Sequence, residues 1–251
     1  MRHDGRSWDQ LRPVTIECGW HKTSDGSALY RAGKTVVLCT ASIEDGVKDF
    51  LRGQGRGWVT AEYLMHPRAG GKRQNRDGFN GRPLSGRSHE IARLIGRALR
   101  SSVDLRKIGE RTIHVDCDVL EADGGTRTAA VTGGMVALSL ALDVLRRKSA
   151  LAAPPLRGLV SAVSAGIVKG TRMLDLAYVE DSAAEMDLNV VASERGGIVE
   201  LQATSEDAPV DRAAVDALVD LAMTGITTLT ELQRTVLAQA GVELAALAVP
   251  R

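Results

Sequence analysis

Aromatic residues make up only 3% of this 251-residue chain, three Trp, three Tyr and two Phe, so any core must be built from aliphatic side chains and alanine. Cysteine is scarce too. Cys18, Cys39 and Cys117 are odd in number, far apart and form no C-x-x-C, which excludes a disulfide framework and a cysteine zinc site and fits a reducing compartment. The longest apolar run, Ala129 to Leu145, only reaches the minimum length of a bilayer span and is broken by Thr132, Gly133, Gly134 and Asp143. The opening residues Met1-Arg2-His3-Asp4-Gly5-Arg6 hold no apolar signal core, so a soluble, cytoplasmic chain without membrane contact is expected. An excess of charge is missing as well: 32 basic against 31 acidic residues leave a net +1, which excludes a global polycation. The five histidines (His3, His21, His66, His89, His114) form no H-E-x-x-H, and no Gly-x-Ser-x-Gly or Cys/His nucleophile arrangement occurs, which argues against acyl transfer.

What is present is an ordinary globular composition, 44% apolar and 25% charged, with its charge unevenly placed. Between Arg68 and Arg100 nine Lys/Arg face two acids, and between Asp175 and Asp211 ten Asp/Glu face one Arg. The first stretch attracts anions and the second suits a cation. Short apolar or alternating runs predict strands over 14–20, 27–30, 35–43, 57–65 and 111–120, with turn signals at Asp25-Gly26 and Gly33-Lys34. His66 to Gly86 carries seven Gly or Pro in 21 residues and reads as a long loop, functional or mobile. Ser85 or Ser88 caps a helix in which Ile91, Leu94, Ile95, Ala98 and Leu99 form the apolar face, while Arg93, Arg97 and Arg100 form a basic stripe. That stripe suits either a solvated surface or an anionic partner. A helix over about 129–147, a boundary at Pro154-Pro155, strands over 158–168 and 187–204, and a helix from Asp211 toward Gly241 complete the pattern. The expected fold class is α/β (α+β): one unit over 1–251 made of two similar lobes of mixed sheet flanked by helices, about 10–148 and 157–240.

Two segments carry chemistry. Gly124-Gly125-Thr126-Arg127-Thr128 joins a strand to a helix, where paired glycines admit an anion to the helix N-terminus and Thr126 and Arg127 add donors. It is not a Walker A loop, since no Lys-Ser/Thr follows the glycines, and an ordinary capped helix start accounts for the same residues. In Glu180-Asp181-Ser182-Ala183-Ala184-Glu185-Met186-Asp187 the even spacing of Asp181 and Asp187 puts both carboxylates on one face of an extended chain, with Glu185 beside them. Such oxygen ligands suit Mg²⁺ or Mn²⁺, and a solvated acidic loop is the alternative.

Together these features point to phosphoryl chemistry on a polyanion, and the chain resembles the ribonuclease PH family of phosphate-dependent 3′→5′ exoribonucleases. The resemblance is carried by Arg2-His3-Asp4-Gly5-Arg6 with Leu11-Arg12-Pro13, Leu51-Arg52-Gly53, Gly57-Trp58-Val59-Thr60-Ala61-Glu62-Tyr63, Pro67-Arg68 and Ser85-Gly86-Arg87. It continues through Leu94 to Arg100, Gly109-Glu110-Arg111-Thr112, Ala122 to Thr128 and Glu180 to Asp187, in the family's order. It implies that Arg87, Gly125, Thr126 and Arg127 hold an attacking inorganic phosphate, that Asp181 and Asp187 bind Mg²⁺, and that the catalytic set is Arg87, Thr126, Arg127, Asp181 and Asp187. It further implies RNA as substrate, typically tRNA precursor 3′ ends, and a homo-hexamer built as a trimer of dimers. Arg68, Lys72, Arg73 and Arg76 in the loop, with Arg93 and Arg97 on the helix, are the RNA-binding candidates, and the loop suits either an RNA track or a subunit contact. Departures from the family's pattern lie at His66, usually apolar, and at Ala203 and Ser205, where glycine-like positions and a turn are expected.

Overall fold

The computed structural model describes residues 2–79, 81, 83–206 and 208–249; Arg82, counted in the basic stretch, lies outside them. Five strands build the first sheet: β1 (Val14–Cys18), β2 (Gly26–Ala32), β3 (Thr35–Asp45), β4 (Trp58–Met65) and β5 (Arg111–Glu121). Their order is β1-β2-β3-β5-β4. All neighbours are antiparallel except β4 and β5, and that parallel pair needs the crossover helix α1 (Gly86–Ser101). Ser85 is the cap of α1, its side chain accepting from the backbone N–H of Ser88.

The second sheet holds β6 (Val160–Val168), β7 (Thr171–Leu174), β8 (Met186–Ser193) and β9 (Ile198–Ser205) in the order β7-β6-β8-β9. It is antiparallel throughout, so only the first sheet is mixed. A one-turn helix α3 (Tyr178–Asp181) joins β7 to β8. Helix α4 (Arg212–Gln239) closes the outer face, with Leu218, Ala222, Ile226 and Leu229 forming the buried stripe against β6 and β8. A short α5 (Leu244–Leu247) follows.

Helix α2 (Thr126–Arg147) packs against strands of both sheets, and 17 of its 22 residues are buried. Small side chains make this possible in a chain so poor in aromatics. A Cβ on Gly133 would lie 2.9 Å from Cys39 Sγ, and one on Gly26 would lie 2.1 Å from the α2 carbonyl of Ala137. Buried polar groups fix the register of the layers. Thr132 Oγ1 accepts from the Ala162 N–H at 3.1 Å, and Gln233 Nε2 donates to the carbonyls of Thr132 and Val160 at 3.0 Å each. By length and composition alone α2 and α4 are long and apolar enough to cross a bilayer, but 89% of the most apolar window of α2 is buried inside the fold.

The close approach of β2 to α2 has a measurable consequence. Gly26→Ala forces two backbones apart and should destabilise the protein by about 1–3 kcal/mol, read as a lower urea midpoint at unchanged slope.

Candidate active site

The site is assembled at the start of α2. Gly124 and Gly125 both take left-handed conformations (φ +76° and +65°), and a Cβ on Gly124 would lie 2.6 Å from the Leu176 carbonyl oxygen. Gly125 is the N-cap and offers no side-chain acceptor, so the first N–H groups of α2 stay open to an external anion. The turn is held from behind. Arg12 donates to the Asp123 carbonyl at 2.6 Å, and Thr35 Oγ1 donates to the Gly124 carbonyl at 2.7 Å while accepting from the Asp123 N–H at 2.9 Å. Asp175 binds the Arg12 backbone N–H at 2.8 Å, its Nε at 3.0 Å and its Nη2 at 2.6 Å. Burial alone would lower the pKa of Arg12, but the bonded Asp175 carboxylate holds it above its ordinary value.

The N-terminal arm extends this clamp. Arg2, 7% exposed, donates to the carbonyls of Leu174 and Asp175 at 2.7 and 2.9 Å and to Glu180 Oε1 at 2.8 Å. Burial would raise the carboxyl pKa of Glu180, yet its hydrogen bond from Arg2 holds it low. Glu180 is thereby a structural anchor, and its neighbour Asp181 turns the other way, into the cavity.

Arg87 sits exposed in the first turn of α1. Asp77 Oδ2 accepts from Ser88 Oγ at 2.6 Å and Ser85 Oγ at 2.8 Å, tying the 66–86 loop to this helix start. The Ser88 hydroxyl, outweighing a small effect of burial, holds the Asp77 carboxyl low. Thr126 Oγ1 lies 2.8 Å from the hydroxyl of Tyr63, a buried phenol whose pKa burial raises. Arg127 Nη1 donates to Gln202 Oε1 at 3.0 Å and lies 3.8 Å from Glu90 Oε1.

These groups line one cavity of about 490 Å³ that holds Arg87, Gly125, Thr126, Arg127, Asp181 and Asp187. The two aspartates meet for a reason other than their even spacing. Asp181 ends α3 and Asp187 lies on β8, so the chain folds back between them and is not extended. Glu185 does not join them: its Oε1 accepts from the Gly170 N–H at 2.9 Å. Among the described residues no three His, Cys, Asp or Glu side chains gather as a metal cluster. The pair still has the character of a cation site. Asp187 Oδ1 is buried without a partner among the described residues, Oδ2 accepts from Asn189 Nδ2 at 3.0 Å, and burial followed by repulsion from Asp181 pushes the Asp187 carboxyl up to about 6. Burial raises Asp181 as well, with Arg127 and Arg87 opposing it.

The RNA-binding candidates divide. Lys72 reaches the cavity and Arg76 lines an adjoining space under the loop. Arg73 and Arg93 are exposed, and exposed Arg68 donates to the Gly71 carbonyl at 3.2 Å. Arg97 is paired across the lobes with Glu200 at 2.6 Å. Arg100 does not continue the stripe: it stacks over the Trp58 ring at 4.4 Å and donates to the Val59 carbonyl. The segment around Ala203 and Ser205 is regular strand β9, where Gln202 supports Arg127. Sequence reasoning missed the supporting roles of Arg12, Thr35, Asp175 and Gln202, although Leu11-Arg12-Pro13 belonged to the matching motifs.

A two-lobed α+β protein whose central helix starts uncapped beside two arginines, with a carboxylate pair across the same cavity, has the build of a phosphate-handling enzyme. Residues 10–142 match the 3′ exoribonuclease family, domain 1, and residues 158–225 match its domain 2. The chain belongs to the 3′ exoribonuclease family. It is 53% identical over 237 residues to the ribonuclease PH of Solibacter usitatus, covering 94% of this chain and 99% of that one. It is 54% identical over 233 residues to the ribonuclease PH of Frankia casuarinae, with coverage of 93% and 92%. Among solved structures, rice (Oryza sativa) Rrp46 superposes with a TM-score of 0.76 at 18% identity, covering 94% of this chain and all (100%) of that one. The Archaeoglobus fulgidus exosome with RNA bound to the active site superposes with a TM-score of 0.74 at 24% identity, with coverage of 92% and 91%. Both structural likenesses speak to fold.

The raised Asp187 pKa fixes the sign of a stability effect. Well below pH 3.8 the carboxyl is protonated in both folded and unfolded chains; as pH rises from there to about 6 the unfolded chain releases its proton before the folded one, and folding is penalised. Asp187→Asn should therefore stabilise the metal-free protein by roughly 1–3 kcal/mol at pH 8 and by nothing near pH 3.5. Chemical denaturation at the two pH values with chelator present checks this.

Proposed function

We propose that this chain is a phosphate-dependent 3′→5′ exoribonuclease, a nucleotidyltransferase that trims RNA 3′ ends with inorganic phosphate as nucleophile. The observation that carries the reading is the single cavity in which an uncapped helix N-terminus, two guanidinium groups and two desolvated carboxylates face one another. A hydrolase using water would need no second anion pocket beside the carboxylates.

In the forward reaction a phosphate oxygen attacks the phosphorus of the last phosphodiester. The bond to the penultimate ribose 3′-oxygen breaks, that oxygen takes up a proton, and the terminal residue leaves as a nucleoside diphosphate. The reverse reaction adds nucleotides to a 3′ end. Arg87 and Arg127 neutralise the approaching phosphate, while Thr126 and the open N–H groups at Gly125–Thr126 orient it for in-line attack. Arg12, Thr35 and Asp175 keep those donors aimed. Asp181 and Asp187 would hold Mg²⁺ or Mn²⁺, which fits the partnerless, buried Asp187 oxygen; such an ion, when bound, supplies charge neutralisation at the scissile phosphate.

The substrates are RNA 3′ ends, typically those of tRNA precursors in the cytoplasm. Lys72 at the cavity mouth, with Arg68, Arg73, Arg76 and Arg93 around it, forms the electrostatic approach; Arg97 contributes less because Glu200 already neutralises it. The assembly is a homo-hexamer arranged as a trimer of dimers. Trp8, Trp20 and Phe50 on the N-terminal half, Tyr178 and Val179 on α3, and Ile198 and Leu201 on β9 are among the exposed apolar side chains available for its contacts.

Incubation of the protein with a short 3′-tailed RNA and Mg²⁺ should release nucleoside diphosphates only when inorganic phosphate is added. Arg127→Ala should lower that rate by about a hundredfold or more with the fold intact. Release of nucleoside monophosphates without phosphate overturns the reading.

A further inference from the structure

A second concave site lies at the other end of α1. Arg87 and Arg100 are thirteen residues apart on one helix, so this site is about 20 Å from the catalytic cavity. Arg56, Arg100, Arg106 and Arg157 line a cavity of about 340 Å³ that contains one carboxylate, Asp104.

Backbone contacts build the frame. Gly57 donates to the Leu105 carbonyl at 2.8 Å, an approach only glycine allows, since a Cβ there would lie 2.5 Å from the carbonyl oxygens of Gly109 and Arg111. This presses Arg56 against the 104–109 turn. Asp104 N–H donates to the Pro155 carbonyl and Arg157 N–H to the Ser102 carbonyl, each at 2.7 Å, and Val103 bridges Leu156. Three separate segments are thus pinned so that their arginines converge.

The charges that converge are not balanced. Asp104 lies 3.9 Å from Lys107, outside the cavity's arginine set. Arg100 is committed to Trp58 and the Val59 carbonyl, and Arg56 Nε is buried with no partner among the described residues. A desolvated guanidinium N–H without an acceptor, amid like charges, favours an anion of more than one negative charge and of forked geometry. We propose that this cavity is a second phosphate-binding site, taking either a backbone phosphate of bound RNA away from its 3′ end or a free phosphate ion. The RNA source rests on the exoribonuclease reading; the phosphate chemistry does not.

The test uses Arg56→Gln/Arg106→Gln/Arg157→Gln in the full chain and leaves Arg100 in place. Three measurements are made: affinity for a hairpin RNA with a single-stranded 3′ tail against salt concentration, phosphorolysis of a short oligonucleotide, and calorimetric titration with inorganic phosphate. For the RNA source the triple variant should bind the hairpin at least about tenfold more weakly, with the salt slope reduced by about 2–3, while the short oligonucleotide is cleaved at the wild-type rate. For the free-ion source the wild-type chain should bind two phosphates and the variant one. Unchanged RNA affinity together with unchanged phosphate stoichiometry overturns the proposal. So does a changed sedimentation coefficient with both phosphate readouts intact, which would assign the arginines to a contact between copies of the chain. Arg106→Gln/Arg157→Gln, both at exposed positions, guards against misfolding and should move the same readout by a smaller amount. A wild-type protein that binds RNA and phosphate yet cleaves nothing would defeat the exoribonuclease reading and leave this site standing.

Discussion

The buried pair between Arg12 and Asp175 is the constraint on which the rest of the site depends. Arg12 is 5% exposed and Asp175 6%, so each charge has left water and neither is tolerable without the other. In return for that desolvation the pair fixes geometry. One guanidinium grips the glycine turn ahead of α2, and the carboxylate that grips it in turn sits on the strap that leads through α3 to Asp181. The anion donors and the carboxylate pair come from different lobes, and this ionic link sets their separation. A hydrophobic replacement of similar volume would pack but would not aim anything.

Scarcity of aromatics is the second constraint, and it favours rigidity. With alanine, glycine and small branched residues in the contact layers, α2 packs against both sheets, and a methyl group added at Gly26 of β2 would collide with its backbone. Helix α2 is therefore the most deeply enclosed of the helices. Its donors are preorganised because the body of the helix has no room to move.

Much of this was legible in the residues. Period-2 runs located most strands to within one or two positions, the α1 cap falls on Ser85, one of the two serines the spacing offered, and the paired glycines marked the turn into α2. The pieces that escaped share a physical origin. Asp181 and Asp187 were grouped by an extended-chain argument, whereas tertiary packing folds the chain between them and sends Glu185 to Gly170. Charge periodicity on α1 could not reveal that Glu200 from the other lobe would bind Arg97, or that Trp58 would take Arg100. The supporting residues Arg12, Thr35 and Gln202 act through partners 75 to 163 positions away, beyond the reach of local pattern.

The N-terminal arm carries a consequence for the order of events during synthesis. Arg2, Arg6 and Arg12 are synthesised before their partners at 174–180, which lie more than 160 positions further along the chain. Until then three cations bound for the interior remain in water, and the turn before α2 lacks the clamp that aims it. The arm therefore docks late, a high-separation closure whose entropic cost falls late in folding. A nascent first lobe that lacks residues 174–180 has the segments of its own sheet but not the clamp on the turn before α2, so the candidate site is completed only once that part of the second lobe has been made.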